Sequence, residues 1–461
     1  MSSTLDRLRR LSSLRDPRRA PDPDEEAPVG TAAAMRRNAA GPLHDLVPGR
    51  LIENAGGVCY VSTRAYPLEA ARGPAPLGSL LGLVPAVFQR YYPAFRLDTT
   101  TDYQRAAFLD TETTGLGGGA GVYAFMIGVG TFEPWPDPAQ GAAGVSTHFV
   151  VRQFFMRSPA EERAVLVALA NLLDAYELTV TFNGRSFDLP LLRARYAQNR
   201  RFAPLRGGVA LLAEDRPHLD LLHPARRLWR KRLQSCRLIN LETMILGLQR
   251  SEDDVPGYLI PALYTDYVRT GNAAEMRRVF YHNGEDIVSM VALAERLSRA
   301  FDETACQETG APPVHAEDLA ALARVYEQTG QLDLAETAYR RALDTVRAAR
   351  ERADLFARLG RLLKKQKRWD EAADVWQLWL TSVPGVDPTP YEEMAKHCEW
   401  HLNDLEQAEM WTAWALHTLR SASTAHGFPG ASSRLEHRLA RLQRRRQTLP
   451  DDGSGTAPTH G

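Results

Sequence analysis

Apolar and polar positions first group the middle of the chain into short alternating elements. Residues 106–110, 122–130 and 149–155 are apolar runs bounded by polar, Gly or Pro residues, and they predict three successive strands. Residues 159–175 predict a helix, because Pro159 is tolerated in a first turn and Glu161 and Glu162 suit its N-terminal end. Residues 178–181 predict another strand, a helix opens at Ser186, and further helices follow. Three strands followed by alternating helix and strand predict a mixed sheet with helices packed on it. Upstream, residues 51–53 and 58–61 are β-like and 79–88 read as a helix, so 46–104 form an ordered extension packed on a core at 105–300.

Beyond Pro312 and Pro313 the period changes. Leu322, Tyr326, Gly330, Ala335, Tyr339 and Ala342 resemble the tetratricopeptide spacing, with small residues where two helices touch. Leu359, Leu363, Ala372 and Trp376 repeat the pattern, and Ala408 continues it. Residues 314–446 are therefore expected to form three all-α helical hairpins that bury a shared face, with 433–446 as a basic capping helix. His397 and His401 lie one turn apart and read as ordinary repeat residues. The ends, 1–45 and 447–461, have the composition of disordered tails, although Leu5, Leu8, Leu11 and Leu14 could line one face of a short helix.

A length of 461 residues allows two or three domains, and 56 basic against 56 acidic residues give no net charge. Any nucleic-acid surface must therefore be local. One stretch stands out: between Asp220 and Glu242 there is no acid, while Arg226, Arg227, Arg230, Lys231, Arg232 and Arg237 follow one another. Arg226 and Arg230 are one helical turn apart. A phosphate-tracking surface and a solvated helix face both account for the run. The four cysteines, at 59, 236, 306 and 398, form no CxxC pair, which argues for a reducing compartment and against a zinc site or disulfide framework. The N-terminus lacks an apolar signal region, and no apolar run approaches the roughly 20 residues of a membrane span, so a cytoplasmic location without membrane contact is expected.

The sharpest chemistry lies at the end of the first core strand, in the sequence DTETTGLGGG. Asp110 and Glu112 point to one face of a strand, their Cα atoms roughly 6.6 Å apart. Such a pair is relieved by hard divalent cations, which prefer oxygen ligands. Alone, Asp-x-Glu is equally a solvated strand end before a flexible glycine loop. Two later segments add to it: FNGRSFD, with Asn183, Phe187 and Asp188, and YHNGED, with His282 and Asp286.

Asp-x-Glu, then Asn-x3-Phe-Asp, then His-x3-Asp resembles, in that order, the DEDD superfamily of 3′–5′ exonucleases on the ribonuclease-H-like α/β fold. Within it the chain is most similar to the YprB-type family, over residues 47–297. The resemblance implies that Asp110, Glu112, Asp188 and Asp286 hold two divalent ions, Mg²⁺ or Mn²⁺, for phosphodiester hydrolysis. It also implies that Thr113, Gly115 and Leu116 line the terminal nucleotide, and that Asn183 and Phe187 shape the second motif, Phe187 being equally explicable as structural. Arg226 and Arg230 are further candidates for contact with a single-stranded or 3′-ended substrate. The third motif departs from both usual subclasses, which place His five residues or Tyr four residues before the last Asp; here Tyr281 is at minus five and His282 at minus four. A helix brings minus four to within about 40° of the Asp and minus five to about 140°, which favours His282 as the residue that orients or deprotonates water. Asn283 as a helix cap would weaken that geometry. The leading expectation is an exonuclease with a helical module that binds a protein partner. The alternatives are a non-cutting scaffold and an endonuclease acting on branched or flapped DNA.

Overall fold

The computed structural model describes residues 42–115, 121–137, 144–199, 208–302, 315–385, 387–421 and 430–448. Residues 1–41 and 449–461 of the expected tails, and Leu116, lie outside the described residues. Residues 43–45, assigned to the tail, instead belong to a helical turn, Leu43–Leu46, that buries Leu43.

Seven strands make one sheet: β1 (Arg50–Asn54), β2 (Gly57–Pro67), β3 (Ala106–Thr113), β4 (Ala124–Pro136), β5 (Val145–Phe155), β6 (Leu178–Thr181) and β7 (His218–Asp220). Their order is β1-β2-β5-β4-β3-β6-β7. The first five are antiparallel neighbours, whereas β3-β6 and β6-β7 run parallel. This is the mixed sheet of the ribonuclease-H-like plan. The segment 46–104 is less separate than expected, since β2 pairs with β5 from Tyr60↔Phe155 to Pro67↔His148 and so extends the same sheet. The helix expected at 79–88 is two 3₁₀ turns, Leu77–Gly82 and Pro85–Phe88. Val84 between them is extended, the conformation that a following proline favours.

Alternation along β3 separates two cores. Ala107 and Leu109 pack with Val165, Leu166 and Leu169 of α1 (Glu162–Leu173), while Ala106 and Phe108 join Ile287, Met290 and Val291 of the long helix α5 (Met276–Phe301). Between them in sequence lie α2 (Asp188–Asn199), α3 (Leu222–Trp229) and α4 (Ile260–Thr270). Helix α5 lies close to β4 because two strand positions lack a Cβ. A methyl at Gly128 would sit 2.2 Å from Asn283 Oδ1, and one at Gly130 would sit 2.6 Å from Ile287 Cγ2.

The C-terminal region is helical: α6 (Ala316–Gln328) and α7 (Leu332–Thr345), α8 (Ala349–Lys365) and α9 (Trp369–Ser382), α10 (Thr389–His397) and α11 (Leu405–Ser421), then α12 (Ala431–Thr448). It shares a core with the sheet domain. The Tyr91 ring packs at a tilt, 5.2 Å from that of Phe301 and 6.2 Å from that of Tyr326, and its hydroxyl donates to Gln331 at 3.1 Å. Arg232 of the basic run pairs with Asp318 at 2.9 Å. Arginines 438, 441 and 445 of the capping helix converge on the buried carboxylate of Glu399. Among the described residues no helix is long and apolar enough to cross a membrane.

Candidate active site

Strand β3 carries its side-chain alternation past the apolar core, so Asp110 and Glu112 occupy the face that Ala106 and Phe108 begin. A register irregularity between Glu112 and Thr113 ends the regular pairing there. Helix α2 starts on Asp188, whose Oδ1 accepts a 2.5 Å hydrogen bond from Thr111 Oγ1. Helix α5 brings in the third motif from its interior, not its first turn: it starts at Met276, after the capping position of Glu275. Asn283 is therefore no cap. It is fully buried, donates to Asp110 Oδ2 at 2.9 Å and accepts from Gln153 Nε2 at 3.0 Å. Gly128, the register partner of Asp110, leaves the space that Asn283 fills.

One arginine enters the carboxylate cluster without any signal in motif spacing. Arg250 donates to both oxygens of buried Glu242 at 2.7 Å and also to Asp286 Oδ1. Its Nη1 lies 3.5 Å from Asp254. His282 Nδ1 lies 2.7 Å from Asp254 Oδ1. A proton on that nitrogen donates to Asp254 and leaves Nε2 facing Asp286 Oδ2 at 3.8 Å. The Tyr281 hydroxyl turns away and accepts from the Ser251 amide at 3.1 Å. On this helix His282, and not Tyr281, faces the last aspartate.

The remaining candidates fall into two groups. Thr113 Oγ1 donates to the Gly115 carbonyl at 2.8 Å and so shapes the turn after β3. A methyl at Gly115 would touch only Val122 Cγ2, at 3.7 Å, so sterics do not demand glycine there. Asn183 adopts a left-handed φ of 68°, and its amide donates to Asp220 Oδ1 at 2.7 Å. Phe187, beside Asp188, is 60% exposed. Arg226 and Arg230 belong to a neighbouring cleft, not to the carboxylate group. His218 and Asp220 serve as strand-end chemistry: the His218 ring bonds Thr181 Oγ1 at 2.8 Å, and Asp220 accepts three backbone amides.

Crowding sets the electrostatics. Burial and the charges of Asp286, Asp188 and Glu112 push the Asp110 carboxyl well above its usual range. Burial raises Glu112 to about 8, the charges of Asp286 and Asp188 adding to it and His282 opposing. Burial also raises Asp188 to about 6, against the hydrogen bond from Thr111. For His282 burial acts downward, but the bond to Asp254 and the charges of Asp286 and Glu112 outweigh it and lift the imidazole to about 9. At neutral pH these groups alone keep His282 protonated, unlike a free imidazole.

These shifts share one sign. Folded Glu112 and His282 hold protons that the unfolded chain releases at lower pH, so their contribution is full below the unfolded values and disappears as pH rises to about 8 and 9. In EDTA, the melting temperature is expected to fall between pH 5.5 and 9. Mg²⁺ or Mn²⁺ should restore much of the loss at the alkaline end. Differential scanning fluorimetry with and without the ion checks both; a flat profile would contradict the crowding.

The donor chemistry suits hard cations: the four carboxylates offer only oxygen, and the charges of Asp286, Asp188 and Glu112 all bear on Asp110. As the side chains stand, Asn283 engages Asp110 and Arg250 engages Asp286. The acids are near enough for their charges to act on Asp110, but among the described residues no three His, Cys, Asp or Glu side chains are yet placed to hold one ion.

Comparison with known proteins agrees with this architecture. Residues 107–298 match the RNase_H_2 family model, described as RNase_H superfamily. Over 270 residues the chain is 32% identical to the uncharacterized protein YprB of Bacillus subtilis (strain 168), a match covering 59% of each chain and so less than two thirds of that relative. Sheet order, the acids at the end of β3 and the family match together make residues 107–298 a domain of the RNase H superfamily.

Proposed function

We propose that this protein is a divalent-metal-dependent nuclease that removes nucleotides from the 3′ end of a nucleic-acid strand. The observation that carries the reading is the convergence of Asp110, Glu112, Asp188 and Asp286, whose mutual repulsion has Arg250 and His282 as its cationic neighbours. In this reading the four acids hold two ions, Mg²⁺ or Mn²⁺. When bound, the ions activate water and offset charge on the scissile phosphate and the departing 3′ oxygen. Asp286 must then part from Arg250, which keeps both bonds to Glu242. Asp254 fixes the His282 ring so that Nε2 faces the reacting region, where it orients the attacking water. Thr113 and Gly115 form the turn beside the terminal nucleotide, with Phe187 exposed next to Asp188.

The helical region, read as tetratricopeptide-like, is the proposed site for a protein partner. The Arg250–Asp286 pair favours a second reading, a nucleic-acid-binding domain that does not cut. A time course on 3′- and 5′-labelled single-stranded DNA and RNA, with Mg²⁺, Mn²⁺ or EDTA, decides between them. Metal-dependent shortening from the 3′ end is expected. Binding without cleavage would select the second reading, and internal cuts at branched junctions would select an endonuclease.

A further inference from the structure

The basic run does not act as one surface. Arg227 is spent on Gln328 and lies over the Tyr92 ring, and Arg232 is paired with Asp318 at the contact with the helical region. Arg226, Arg230 and Arg237 are different: all three are exposed, none has a carboxylate partner among the described residues, and all three line one cleft of about 530 Å³. No acid lines that cleft. Its other walls include Phe182, Asn183, Gln234 and Ser235. A concave site with three unpaired guanidiniums and polar amide and hydroxyl groups is complementary to a chain of anions.

The cleft is fixed to the carboxylate site. Asp220, fully buried, accepts from the amides of Asn183 at 2.7 Å, Arg185 at 3.2 Å and Leu222 at 3.1 Å. One carboxylate thus ties the loop leading to Phe187 and Asp188 to the first turn of α3, the helix that carries Arg226 and is capped at its C-terminal end by Arg230. One turn apart, those two residues are separated by a rise of about 6 Å along the axis, a spacing suited to successive phosphates.

We infer that this cleft is the track for the phosphodiester backbone of a single-stranded nucleic acid whose end lies at Asp110 and Asp188. The inference deepens the nuclease reading and rests on it for direction. Exposed Phe187, at the junction, offers a ring on which an unpaired base stacks, whereas a paired base has no free face to offer. The strand beyond the terminal nucleotides then runs across Arg226, Arg230 and Arg237. Affinity should grow with strand length until the cleft is filled.

The test is fluorescence anisotropy of dye-labelled oligo(dT) and oligo(rU), three and twelve nucleotides long, with the full chain in EDTA over a range of salt. Against wild type, the triple variant Arg226→Gln/Arg230→Gln/Arg237→Gln is expected to lose at least about tenfold in affinity for the twelve-mer. The log–log salt slope should become shallower by about 2, from roughly 0.7 per single-strand phosphate contact. Little change is expected for the three-mer. If the triple variant misfolds by circular dichroism, Arg230→Gln alone should flatten the slope by about 0.7. Equal affinity and slope in wild type and variant would overturn the track, as would an acidic peptide that competes as well as the oligonucleotide. Because binding is read in EDTA, a failure to cleave removes the nuclease reading without deciding the track.

Discussion

Asp110→Asn is expected to lower metal-dependent phosphodiester cleavage by about 10²–10³-fold or more, the scale for removing one preorganised charge from a reaction centre, while making the protein more stable. Asparagine keeps the shape, and its Oδ1 can still accept from Asn283, which donates at 2.9 Å to the native carboxylate. The carboxylate against which the charges of Asp286, Asp188 and Glu112 act is gone. At pH 8 in EDTA the melting temperature should rise, because one of the mutually repelling carboxylates has been neutralised. A site that sacrifices stability to hold charge shows this opposition of activity and stability. Fluorimetry and end-labelled strand assays on one preparation read both. Full activity would remove Asp110 from the site, and lost activity with lost stability would make its role structural.

Arg250→Met is expected to cost about 3–5 kcal/mol, the range for leaving a buried charge without its partner. The side chain is 6% exposed and Glu242 only 1%, so water cannot replace the guanidinium. Asp286 and Asp254 would lose the same cation. Adding Glu242→Gln should recover part of the loss, because the stranded charge is then removed. Arg250→Lys, which keeps charge but not the two-pronged geometry, should fall between wild type and Met. Urea denaturation of the set measures this; a loss below about 1 kcal/mol for Met would mean that water penetrates the pair.

Much of the fold was legible because period and punctuation are local. The strand at Leu178–Thr181 matches its predicted bounds, and the strands at 106–113, 124–136 and 145–155 lie where apolar runs predicted them, longer at their polar ends. Those ends extend because ladder hydrogen bonds continue past the last apolar residue. Less visible was the partner of each strand. Residues 46–104 read as an extension, but β2 completes the sheet against β5, and nothing within β2 specifies that long-range register.

The chain itself determined the chemical types at the site: an Asp-x-Glu at a strand end, an Asp opening a helix, and a His and Asp one turn apart, all set by spacings of a few residues. Only the tertiary structure decided how those groups are balanced. Arg250, 36 residues from Asp286, becomes its partner through a loop that follows the left-handed Gly247. Asn283 becomes the support of Asp110 because Gly128, across the ladder, leaves room for it. The division is physical. Periodicity and charge belong to neighbours in sequence, whereas desolvation and ion pairing depend on which distant side chain fills the same few ångströms.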